Sequence, residues 1–108
     1  MESQINSDVI RGHIDAILLR LLLDEDMYGY QIYKSILDRS AGQYELKEPT
    51  LYTCLRRLEA QGCITSRWGE ETQGGRRRYY SITEAGRQLY HKNRAEWEFA
   101  RRIIDTLI

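Results

Sequence analysis

One proline, one phenylalanine, two cysteines and two histidines are all that 108 residues contain of these types, and neither sign of charge is in excess, with 16 basic and 16 acidic side chains. Each scarcity excludes something. Cys54 and Cys63 have no second cysteine pair beside them, and His13 and His91 lie far away in sequence, so no metal-ligand spacing is present and no cofactor is expected. Reduced thiols in a cytoplasmic protein are the simplest reading. No apolar run approaches the roughly 18 residues of a membrane span, and no leader segment is recognisable, so a soluble, unexported chain with no membrane partner is expected. There is no glycine-rich phosphate loop, no serine or cysteine nucleophile in context and no histidine–carboxylate cluster, which excludes the common enzyme classes. A neutral total also argues against a surface that is basic all over.

What is present is unevenly distributed. Residues 1–48 hold five basic and nine acidic side chains, residues 49–80 six and three, and residues 81–108 five and four. A local cationic face therefore survives a neutral sum. At 42% hydrophobic content the chain fits one domain over 1–108, with a core small enough for a partner subunit to add to it.

Val9, Ile10, Ile14, Ile17, Leu18, Leu21 and Leu22 recur at helical spacing behind an Asn6-Ser7-Asp8 cap, which predicts a first helix. Ile32, Tyr33, Ile36 and Leu37 predict a second over 29–39, with Gly42 suited to a left-handed exit. Tyr44-Glu45-Leu46 alternates once, as a short strand or a loop would. The third helix, 49–61, has Pro49 at its first position, a Leu51, Leu55, Leu58 stripe and Gly62 after its end. Strand-like 63–68 and 78–83 flank a loop over 69–75, with Ile64 and Trp68, and Tyr80 and Ile82, marking the buried sides. Thr83 caps a last helix that can run to residue 108. The expected class is mainly α (α+β), in the order α-α-α-β-β-α.

The third helix turns Thr50, Thr53, Arg56 and Arg57 away from its leucines, with Tyr52 near its start; hydroxyls and guanidinium groups on a rigid helix suit base edges and phosphates in a major groove. The same residues also suit an exposed face that is merely solvated. Beyond the helix, Gly74-Gly75 lets a turn approach closely, and Arg76, Arg77 and Arg78 repel one another unless an anion is near. On a strand at least one of the three faces the sheet. Glu70 and Glu71 offer the arginines an alternative partner within the loop. Tyr28-Gly29-Tyr30 opens the second helix, where free N–H groups grip a phosphate or the rings cover a core edge, and Lys34 on its polar side suits a backbone contact.

Residues 97–108 include Trp97, Phe99, Ala100, Ile103, Ile104, Leu107 and Ile108, more apolar surface than so small a core covers. A homodimer in which this helix packs on the first helix of its partner, through Ile10 and Ile14, resolves this; an intramolecular return is the alternative.

Met27-Tyr28-Gly29-Tyr30-Gln31-Ile32, Pro49-Thr50-Leu51-Tyr52, Arg57-Leu58-Glu59, Gly62, Trp68-Gly69, residues 74–80 and Thr83-Glu84-Ala85-Gly86 together resemble the PadR family of bacterial transcriptional regulators, over nearly the whole chain. The tail resembles the compact subgroup with a single C-terminal dimerisation helix, which includes multidrug-transporter repressors. The resemblance implies a winged helix-turn-helix over 8–83 and a long C-terminal dimerisation helix over 84–108. It implies a homodimer on double-stranded DNA at a palindromic operator, and a repressor. It also implies a small planar aromatic effector at the dimer interface, stacked on Trp97, with Val9, Asp15, Ala16 and Arg101 facing it. Two departures stand out: Arg101 is a cation where a pocket for cationic drugs favours an acid, and Thr53 replaces a proline common in the family. The rival reading is a winged-helix protein-interaction module without direct DNA binding.

Overall fold

The computed structural model describes residues 4–70 and 75–108. Its helices are α1 (Ser7–Ile10), α2 (Ile14–Asp24), α3 (Gly29–Arg39), α4 (Glu48–Ala60) and α5 (Glu84–Leu107). Strands β1 (Met27–Tyr28), β2 (Ile64–Trp68) and β3 (Arg78–Ile82) form one antiparallel sheet in the order β1-β3-β2. The Asn6 side chain accepts from the Asp8 N–H and so starts α1. The first helix is not continuous: a 3-10 turn over Arg11–His13 divides it, at the one residue, Gly12, whose backbone resists helix most.

Of the two readings open for residues 44–46 the loop holds, and a strand that the sequence pattern does not mark lies earlier in the chain. Residues 44–46 remain a loop in which Leu46 is buried, while Tyr44 donates its N–H to the Ser40 hydroxyl at 3.0 Å. The third strand is β1 instead, which pairs Met27 with Tyr80 and Tyr28 with Tyr79. Two residues are too short for alternation to reveal, so only the neighbour in space defines this strand. The observed order is α-α-β-α-α-β-β-α.

Helix α3 keeps its expected bounds, but its left-handed exit begins one residue early, at Ala41 (φ 52°), before Gly42 (φ 78°). Helix α4 begins at Glu48, so Pro49 is its second residue. Gly62 (φ 77°) ends it: its N–H donates to the Glu59 carbonyl and that of Cys63 to Leu58, both at 3.0 Å, which closes the helix and launches β2.

The core joins four leucines of α2 (Leu18, Leu19, Leu21, Leu22) to Leu51, Leu55 and Leu58 of α4, with Ile32 and Ile36 of α3 and Ile64 of β2. Each such side chain contributes about 1.5–3 kcal/mol on burial. Cys54 and Cys63 are both buried and unbridged. Thr83 fastens α5 to this core, donating to the Gly62 carbonyl at 2.7 Å and accepting from the Gly86 N–H at 3.1 Å. Gly86 has no room for a side chain, because a Cβ there runs into the Cys63 carbonyl and Ile82.

The start of α5 returns to its own α2, with Leu89 and Tyr90 against the core and the Trp97 ring edge-on to His13 at 4.7 Å. For this part of the helix, the intramolecular return named as the alternative is what the structure shows. Only its end does not return: Phe99, Ile103, Ile104 and Leu107 stay exposed. At 24 residues, about 36 Å long, the helix outruns the core that its first turns cover.

Candidate nucleic-acid interface

The start of α3, the exposed side of α4 and the β2–β3 hairpin meet around a cleft of about 600 Å³. At the head of α3, the Tyr28 N–H donates to the Gln31 side chain at 3.4 Å. Gly29 follows, and the Tyr52 ring lies against its Cα so closely that an added Cβ would overlap it. Burial, and secondarily Glu48, pushes the Tyr52 hydroxyl above its ordinary range. Tyr52 is thus half packing and half surface, rather than the free contact its sequence position implies.

On α4, Thr50, Thr53 and Arg56 are exposed. The Thr53 hydroxyl donates to the Pro49 carbonyl at 3.0 Å and accepts from Arg56 at 3.3 Å, holding Arg56 along the helix surface. Arg57 turns the other way and forks onto Asp15 of α2 at 2.9 and 2.6 Å. That hydrogen-bonded carboxylate raises the already high pKa of the guanidinium.

In the hairpin, Ile64 opposes Ile82, Ser66 opposes Tyr80 and Trp68 opposes Arg78, so these six share one face of the sheet. The first two pairs meet the core. Trp68 does not, because the strands run past it, and it is 53% exposed instead of buried as the alternation suggests. Arg78 is the arginine that faces the sheet: it donates to Ser66 at 2.9 Å and lies 3.5 Å from Glu59. Arg76 lies over Trp68 at 5.6 Å, and Arg77 over Tyr28 at 4.6 Å. The Gly69 N–H donates to the Arg77 carbonyl at 2.7 Å, and Gly75 turns at φ 86°. Gly74 falls outside the described residues.

Tyr28, Tyr30, Tyr52, Arg56, Arg76, Arg77 and Arg78 therefore line one cleft. Thr50, Thr53 and Arg57 do not line it, and neither does Lys34, which pairs with Asp38 at 3.2 Å along α3. Sequence reasoning missed Gly29, Glu59, Trp68 and Tyr80 as lining residues. The available signal for Trp68 was its register: once Arg78 begins the second strand, the hairpin places the indole beside it.

A second hollow, about 520 Å³ and mainly apolar, lies between α1, α2, α3 and α5. Val9, Ile10, Ala16 and Trp97 line it, together with His13, Ile17, Arg20, Leu21 and Tyr90. Asp15 and Arg101 are not among its walls. Asp15 points instead to α4, and Arg101 lies a turn beyond Trp97 on the exposed end of α5. Among the described residues there is no group of three metal-ligating side chains, and no helix is long and apolar enough to cross a membrane.

Comparison with known proteins agrees with this geometry. Residues 18–92 match the model of the transcriptional regulator PadR-like family. A transcriptional regulator from Clostridium thermocellum is 45% identical and superposes with a TM-score of 0.88, over 94% of this chain and 99% of that one. An uncharacterised protein from Lysinibacillus sphaericus is 42% identical over 104 residues, 96% of this chain and 95% of its own length. At 24% identity, PadR of Bacillus subtilis, crystallised with operator DNA, shares the fold with a TM-score of 0.67 over 73% of this chain and 45% of its own.

Proposed function

This chain belongs to the PadR-like family of transcriptional regulators, which are not enzymes, and we propose that it is a repressor that holds a palindromic operator as a homodimer. The observation that carries this is the cleft: Arg56 of α4, the Tyr28–Tyr30 end of α3 and Arg76 and Arg77 of the hairpin open onto one surface. A helix that presents a hydroxyl and a guanidinium beside a cationic hairpin matches how a winged helix meets duplex DNA, one element in the major groove and the other on the backbone. The same fold in Bacillus subtilis PadR, crystallised with operator DNA, supports the reading.

In this proposal residues 1–108 are one domain, 8–83 bind DNA and 84–108 dimerise. The exposed Ile103, Ile104 and Leu107, with the half-buried Ala100, meet Ile10 and Ile14 of a second copy, since an apolar stripe of this size is unstable in water. Two copies of α4 then sit one DNA turn, about 34 Å, apart. The hollow beside Trp97 admits a small planar aromatic effector, which releases DNA only if it favours a dimer with the wrong spacing.

Fluorescence anisotropy on a labelled duplex from upstream of the protein's own gene tests this. Binding is expected to weaken steeply from about 50 to about 200 mM salt, and Arg76→Ala with Arg77→Ala to reduce the logarithmic slope by about 1.8. A protein-interaction module would show no such dependence, and a flat salt profile would end the DNA reading.

A further inference from the structure

We infer that Trp68 is the positioning residue of the hairpin: its indole seats the Arg76 side chain for phosphate, and Arg78 ties that seat to α4. The inference rests on the DNA reading above. Trp68 stands opposite Arg78 at the far end of the sheet, with 53% of its surface in water. The guanidinium carbons of Arg76 and Arg78 lie 5.6 and 5.9 Å from its ring. Arg78 donates to the Ser66 hydroxyl at 2.9 Å; that hydroxyl donates to Glu59 at 2.7 Å, and Arg78 itself reaches Glu59 at 3.5 Å. Glu59 belongs to α4, the helix that carries Arg56. An unbroken series of contacts thus runs from α4 through Ser66, Arg78 and the indole to Arg76.

A free arginine loses rotamer freedom when it grips a phosphate, and that loss weakens binding. A ring that already holds the guanidinium by its π face removes most of the loss in advance. The planar group keeps its N–H edges outward for an anion, which a lysine ammonium in the same place does not reproduce. The indole therefore raises affinity without adding an ionic contact of its own.

The duplex titration described above, repeated with variants, separates these effects. Trp68→Leu is expected to weaken binding roughly tenfold, with the salt slope unchanged because every charge remains. Trp68→Phe, which keeps a π face, is expected to restore most of the loss. Arg76→Lys weakens binding to a similar degree, and adding Trp68→Leu to it costs little more, because both remove the same seat. Urea unfolding run beside each titration identifies any loss that comes from the fold, and the Arg76→Lys pairing keeps the question answerable in that event. Wild-type affinity in Trp68→Leu, equal losses for Leu and Phe, or independent losses in the double variant would each overturn the seat while leaving the DNA reading intact. Absence of binding by the unmodified protein would remove both.

Discussion

Arg57 and Asp15 form a two-bonded fork between α4 and α2, with side chains 45% and 27% exposed. Of the two adjacent arginines on α4, this one is occupied with its own fold, and Arg56 is turned outward. Arg57→Ala is therefore expected to leave the salt slope of DNA binding unchanged, whereas Arg56→Ala lowers it by about 0.9. A slope lowered to the same extent in both variants would show that both arginines reach phosphate, and a slope unchanged in both that neither does.

The same fork contributes little to stability because water screens it. A double-mutant cycle with Asp15→Asn and Arg57→Ala, read by urea unfolding, is expected to give a coupling of about 0.5–1 kcal/mol. A coupling several times larger would mean that the pair is far less hydrated than its exposure indicates.

Glycine is needed at two helix starts for lack of space. Gly29→Ala drives a methyl group into Tyr52, and Gly86→Ala drives one into the Cys63 carbonyl. Alanine favours helix by about 1 kcal/mol over glycine, but overpacking against a backbone carbonyl opposes this with about 1–3 kcal/mol. Thermal unfolding is expected to show Gly86→Ala as the more damaging change, since the flexible Tyr52 side chain can move and a carbonyl cannot. A Gly86→Ala protein as stable as the parent would contradict that contact.

Four tyrosines set an alkaline limit. Burial lifts the hydroxyls of Tyr44, Tyr52 and Tyr80 above their ordinary range, and the hydrogen bond to Glu45 lifts that of Tyr33. A group raised in the folded state favours its neutral form there, so the stability it contributes is intact below about pH 10 and is lost as pH rises through the folded pKa. Urea midpoints are expected to hold up to about pH 10 and to fall from there to about pH 12, in step with phenolate absorbance. A constant midpoint over that interval would refute the shift.

The uncovered end of α5 predicts concentration-dependent association. Ile103→Asp with Leu107→Asp is expected to produce monomers in sedimentation and to weaken operator binding by at least tenfold, because two half-sites no longer bind together. Both positions are exposed in the single chain, so circular dichroism is expected to be nearly unchanged. Dimers that persist in this variant would place the interface elsewhere.

Much of the frame is local and was legible along the chain. The bounds of α3, the Gly62 stop of α4, the Thr83 cap and the leucine stripe of α4 follow from periodicity and from hydrogen bonds made within a few residues. The grouping of Arg56 with the arginine hairpin was legible too, because a helix followed at once by a hairpin leaves their polar sides adjacent.

Contacts between distant parts of the chain decided the rest. Arg57 faces Asp15 across a separation of 42 residues, and β1 exists only because β3 lies beside it. Alternation places Trp68 on the inner side of the sheet, but how far the core reaches along that side depends on the packing of α4, and it stops short of the indole. Likewise the pattern of α5 marks an apolar stripe without saying which turns fold back on α2 and which remain uncovered. Sequence determined the elements and their ends because those energies are local; the direction of each charged side chain and the reach of the core needed the folded chain, because only tertiary packing brings their partners near.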